Sequence, residues 1–97
     1  MMFSVKIHRS PSGEVLAVCD EELLGQSFSE GELRLKVGQG FYGGDTVTET
    51  VLLEYLCRAN SINLVGNESV AVAIREGYVD EKRVISIGGV RHAQVLR

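Results

Sequence analysis

Thr46–Asn60 reads TVTETVLLEYLCRAN, and its spacing decides the fold. Val47, Val51, Leu52, Tyr55, Leu56 and Ala59 recur at the helical period on one broad face, and Leu53 and Cys57 widen it. The polar remainder is Thr50, Glu54 and Arg58, with Glu54 preceding Arg58 in the orientation that favours an i,i+4 ion pair. Thr46 and Glu49 fit the S/T-x-x-E capping box, in which each side chain satisfies the other's open backbone N–H. The spacing predicts a mostly buried helix over 46–60. A helix so widely apolar needs a sheet to lie against.

The stretches around it supply that sheet. Phe3, Val5 and Ile7 alternate with Ser4, Lys6 and His8, the period of a half-buried strand. SPSG (10–13) marks a turn, and EVLAVCD (14–20) is apolar on both faces, as an interior strand is. The two predict an antiparallel hairpin. DEELLG (20–25) reads as one helical turn with Asp20 as its N-cap. In GELRLKVG (31–38), Leu33, Leu35 and Val37 face inward, giving a third strand. SINLVGN (61–67) reads as a link to a second helix near 68–76, capped by Asn67 and ended by Gly77. KRVISIGGVRHAQVLR (82–97) reads as two strands hinged at Gly88-Gly89. Strands in blocks predict an α+β fold: a compact two-layer sandwich in which two helices pack on a largely antiparallel or mixed sheet. At 97 residues it is one domain, 1–97.

Composition narrows the class. Apolar residues make up 44% and charged residues 24%, ordinary for a globular protein. No apolar run approaches the length a bilayer requires, and MMFSVKIHRS lacks a signal peptide's apolar core, so a cytoplasmic protein without membrane contact is expected. Cys19 and Cys57 are too few for a disulfide framework and lie in apolar stretches, where a thiol acts as a small hydrophobe. The net charge of −3 is unevenly spread: 1–13 carries +2, 14–80 carries −8 and 81–97 carries +3. Basic ends around an acidic middle suggest a partner surface.

Two double glycines invite a ligand reading. In FYGGDTVTE (41–49), Tyr42, Gly43, Gly44 and Asp45 precede a helix start, where N–H groups can hold an anion. The stretch is neither a Walker sequence nor G-x-G-x-x-G, and Asp45 would repel an anion, so a turn explains the glycines better. Gly88 and Gly89 suit a primed hairpin turn. His92 beside them is a candidate base and Cys19 a candidate nucleophile, although no partner stands next to either in sequence. His8, Cys19, Asp20, Cys57 and His92 show no metal-ligand spacing, so no metal is assigned, and no cofactor motif is present. For nucleic acid, Lys82, Arg83 and Arg91 are the candidates, set against an overall acidic chain.

VLAVCDEELLG, FYGGD, NLVG and IGGVRHAQ, in that order, resemble a family of archaeal proteins of about a hundred residues and unknown function. The resemblance covers nearly the whole chain and implies a compact two-layer α+β fold in an archaeal cytoplasm. It implies no activity, cofactor or catalytic residue. The family pattern carries glutamate where Asp45 stands and proline where Arg91 stands, which argues against an essential Arg91 side chain.

The expectation is therefore a binding or interaction module rather than an enzyme, with RNA, the translation apparatus or a protein as partner. The alternative is a small-molecule or anion-binding protein or enzyme whose site joins the FYGG and GGVRHAQ loops in one cleft. A homodimer is compatible with both, since so apolar a short chain leaves a strand edge or helix face to cover.

Overall fold

The computed structural model describes residues 1–97. The N-terminal alternation becomes β1 (Phe3–Ser10), paired antiparallel with β2 (Gly13–Asp20) across the two-residue turn Pro11–Ser12. A 3-10 turn (Glu21–Leu23) follows, then β3 (Ser27–Glu30), β4 (Leu33–Lys36) and the short α1 (Gln39–Tyr42). The chain continues through β5 (Asp45–Val47), α2 (Glu49–Arg58), β6 (Ser61–Val65) and α3 (Asn67–Arg75). A second 3-10 turn (Glu81–Arg83), β7 (Ile85–Ile87) and β8 (Val90–Leu96) complete it.

Six strands form one mixed sheet in the order β5-β1-β2-β6-β8-β7, while β3 and β4 form a separate hairpin. Only β2 and β6 run parallel. On one face, Phe3, Val5, Leu16, Val18, Ile62 and Leu64 pack beneath Leu52 and Leu56 of α2 and Val70 and Ala73 of α3. This is the expected α+β arrangement of two helices on a mixed sheet. The other face carries a second, smaller core, where Ala17, Cys19, Val65 and Val90 meet Leu35 and Val37 of the β4 segment and Tyr42 of α1. No helix is long and apolar enough to cross a membrane.

Several local expectations are corrected. The segment 61–67 is no link: β6 is a central strand with Ile62, Leu64 and Val65 buried and neighbours on both sides. The capping box does not form. Residues 45–47 extend the sheet along β1 instead, with Thr46 opposite Ser4, and α2 starts at Glu49 with no side-chain cap from Thr48. Three residues of ladder satisfy more backbone groups than one reciprocal cap. Only Leu52 and Leu56 of α2 are fully buried; Val51 and Cys57 are exposed, because the sheet reaches one narrow stripe of the helix. The expected Glu54–Arg58 pair is not made; the ion pairs are Arg9–Glu14, Arg75–Glu49 and Arg75–Glu76. Leu33 is likewise exposed, at the tip of the β3–β4 hairpin.

Asp20 does cap a helix, but a distant one. Its carboxylate accepts from the N–H groups of Glu68 (3.2 Å) and Ser69 (2.8 Å) and from Ser69 Oγ (2.7 Å). The N-cap position of α3 is Gly66, not Asn67, at φ 120°, and a Cβ there would overlap the Asp20 carboxylate. Asn67, one residue on, reaches across to the β7–β8 turn.

Candidate functional site

The FYGG segment is fastened by hydrogen bonds to β1, to β6 and within its own turn. The Gly43 N–H donates to Gln39 O (2.9 Å) and the Gly44 N–H to Ser4 Oγ (3.1 Å), while Ser4 Oγ donates to Tyr42 O (2.7 Å). Tyr42 is buried and donates its hydroxyl to Asn63 Oδ1. Asp45 stands opposite Val5 in the β5–β1 ladder. Neither glycine needs a positive φ. Their role is close approach, since a Cβ on Gly44 would overlap the Val5 carbonyl oxygen. Turning the chain was the expected reason; contact between backbones is the observed one. Outside this knot, Phe41 stacks on His8 with ring centroids 4.5 Å apart, and His8 Nε2 lies 2.7 Å from Phe41 O. A carbonyl only accepts, so that nitrogen carries the proton.

Gly88 (φ 58°) and Gly89 (φ 84°) form the tight turn between β7 and β8. The turn lies at the opposite edge of the sheet from Gly43-Gly44, against Ser29 of β3. The two loops therefore do not share a cleft. The strand order that separates them also separates the basic ends, since β2 and β6 lie between β1 and β8. Arg91 is half-buried and tied to Asn67 through its backbone N–H (2.9 Å) and its guanidinium (3.2 Å). Lys82 and Arg83 lie exposed on the second 3-10 turn.

Of the two candidate catalytic groups, Cys19 is buried and His92 is half-buried. Burial, with Asp20 and Glu21 adding repulsion, pushes the Cys19 thiol up to about 12. Burial and the neighbouring Cys19 push the Tyr42 phenol up to about 12 as well. Neither ionises near neutral pH. His92 Nδ1 bonds Leu64 O at 2.8 Å and stands two strands from Cys19, with Val65 between. Cys19 packs with Tyr42 and His8 with Phe41, while His92 stays apart. No three His, Cys, Asp or Glu side chains are grouped to hold a metal ion. Cys57 is exposed on α2 rather than packed.

One concavity lies where periodicity did not point. A groove of about 730 Å³ opens on the helix side, between α2 and the far end of the β1–β2 hairpin. Its apolar lining is Ile7, Leu16, Val51, Tyr55, Ala59 and Leu96, with Glu54 and Arg58 among the polar residues. Ile7 and Val51 are 36% and 37% exposed, so apolar surface remains after the core has closed. The signal in the sequence was the excess width of the α2 apolar face. A smaller cleft of about 240 Å³ follows the outer edge of β1 and shares Ile7 and Tyr55 with the groove.

Comparison with known proteins agrees with this fold. The chain is similar over its whole length to an uncharacterized conserved protein from Methanopyrus kandleri, whose crystal structure superposes with a TM-score of 0.79 at 26% identity and 95% coverage of that chain. No curated protein matches. The family model described as Protein of unknown function (DUF424) matches residues 8–97. The chain belongs to that family.

Proposed function

We propose that this protein is a binding module whose site is the groove between α2 and the β1–β2 hairpin. The groove itself carries the reading. Its volume lies within the roughly 300–1,000 Å³ typical of small-molecule sites, and such sites are mostly apolar with a few placed polar groups. Arg58 and Glu54 at its wall have no ion-pair partner, so both charges are available to a ligand. The ligand class that fits is an amphiphile, with an apolar body on Ile7, Val51 and Tyr55 and an anionic end at Arg58. Catalysis has less support, since Cys19 and Tyr42 hold their protons. RNA binding has less support too, since the strands bearing the basic ends are not neighbours.

The probe is 1-anilinonaphthalene-8-sulfonate, titrated while backbone amide shifts are followed by NMR. Shifts clustered at Ile7, Val51, Tyr55 and Arg58, and abolished by Val51→Glu, are expected. Val51 is exposed, so that variant leaves the core alone. Shifts clustered at FYGG or scattered over the surface would refute the assignment. A parallel titration with poly(U) at low salt is the rival arm. Binding there that is lost on Lys82→Glu, Arg83→Glu and Arg91→Glu would transfer the function to the basic segment.

A further inference from the structure

β1 is longer than the strand that covers it. β5 fills the positions opposite Phe3, Ser4 and Val5 and stops at Asp45, whereas β1 continues to Ser10. The hairpin closes on Ser10 and Gly13, and the closing pair of a two-residue hairpin is a hydrogen-bonded one. Bonded positions then alternate back through His8, Lys6 and Ser4. The N–H and C=O groups of Ile7 and Arg9 consequently point outward, away from β2. No turn, loop or cap bond reaches either residue.

Open edges are usually guarded by charged side chains. Here both cations are turned away. Lys6 Nζ donates to Gly40 O at 2.9 Å, and Arg9 Nε donates to Glu14 Oε2 at 2.7 Å, back across the hairpin. What stands at the middle of the edge is Ile7, 36% exposed.

The length of this edge selects its occupant. Asp45 blocks one end and the Pro11 turn ends the other, so a strand seated here can pair only along Lys6–Ser10. The same uncovered stretch of β1 in a second copy meets that requirement. Set antiparallel about a two-fold axis through His8, it places its Arg9 opposite Ile7 and its Ile7 opposite Arg9. The outward N–H and C=O groups of both residues then find partners. The second copy's chain turns away at Pro11, short of the position Asp45 holds, and proline has no N–H to leave unpaired. Such a contact is isologous and closed. The geometry points to a homodimer joined along the outer edges of β1, with the two sheets made continuous and both α2 grooves on the same side. This goes beyond the groove reading and does not depend on it.

Sedimentation equilibrium of the full chain from micromolar to millimolar concentration, with residue-resolved amide exchange, tests the dimer. A reversible monomer–dimer equilibrium is expected, with the Ile7 and Arg9 amides slowing as the dimer fills. Ile7→Pro removes an outward N–H without touching the β2 ladder. It is expected to weaken association at least about tenfold, because each substitution acts twice across a two-fold and leaves an acceptor unpaired. Ile7→Lys restores a guarding charge on an unaltered backbone and weakens association as well. A chain that stays monomeric at millimolar concentration overturns the inference. So does a dimer whose Ile7 and Arg9 amides exchange as fast as in the monomer.

Discussion

Asp20→Ala removes the acceptor that holds the start of α3 to the end of β2. Asp20 is 3% exposed and Ser69 fully buried, so the Ser69 N–H and hydroxyl that Asp20 serves cannot turn to bulk water. Loss of an ordinary N-cap costs about 1 kcal/mol, with about 2 kcal/mol as the upper end. Hydrogen bonds to a charged group are worth about 1.5–3 kcal/mol, and an orphaned buried donor adds about 1–3 kcal/mol. These figures overlap, since they describe the same atoms. Relief of the carboxylate's own desolvation runs the other way. A net loss of about 3 kcal/mol follows, a large part of the roughly 5–15 kcal/mol available to a domain. Asp20→Asn keeps one acceptor oxygen but sets an amide NH₂ against an N–H, and should cost about half as much, since charge-assisted bonds are about twice as strong as neutral ones.

Urea denaturation followed by far-ultraviolet circular dichroism measures both variants, and amide exchange at Glu68 and Ser69 locates the effect. At about 4–8 °C per kcal/mol for a chain this size, Asp20→Ala should melt about 15 °C lower. Ser69→Ala should lose about 1 kcal/mol and couple to Asp20→Ala in a double-mutant cycle. An Asp20→Ala variant within about 1 kcal/mol of the parent would refute the long-range cap, given that even a surface cap is worth that much. Equal losses for Asn and Ala would refute the part assigned to charge.

Gly44→Ala should destabilise by about 2 kcal/mol or more, because a methyl there meets the Val5 carbonyl and the β5–β1 ladder has to shift; a chemical-denaturation midpoint unchanged from the parent would contradict the contact. Alkaline titration is the other test. Cys19 and Tyr42 ionise at about 12 in the folded chain against ordinary values of 9.0 and 10.0, so unfolding releases protons between those limits. The stability tied to their burial is full below about pH 9 and is lost progressively as pH rises toward 12. A melting temperature flat from pH 8.5 to 11 would be inconsistent with that burial.

The parts of the fold legible in the sequence are those fixed by local chemistry. The alternation of Phe3, Val5 and Ile7 specified β1, and Gly88-Gly89 specified a turn that only positive φ allows. Leu52 and Leu56 were on the predicted helix face, and they are the residues that reach the sheet. What could not be read was decided at a distance. β6 is five residues between two helices, too short for a period to show, and its identity as a strand comes from β2 and β8 on either side. The Thr46–Glu49 box is a sound local signal that lost to the edge of β1, more than 40 residues earlier in the chain. Asp20 was read as a cap on the turn beside it, because sequence offers no view of an N–H group 48 residues away.

The candidate site followed the same logic in reverse. Sequence motifs draw attention to residues with special chemistry, yet in this chain such residues are the ones already spent on the fold. The carboxylate of Asp20 is taken by α3, the Gly44 N–H by Ser4, the Tyr42 hydroxyl by Asn63, and Arg91 by Asn67. Groups whose bonding is complete have little left to offer a partner. The residues left over are unremarkable by type: Ile7 and Val51 with exposed side chains, Arg58 with an unpaired charge, and two outward peptide groups on β1. They adjoin one another, because Ile7 lies both in the groove and on the open edge. Interaction with other molecules requires surface that folding has not consumed. In this molecule the groove places such surface where the far end of the β1–β2 hairpin meets α2, away from both pairs of glycines.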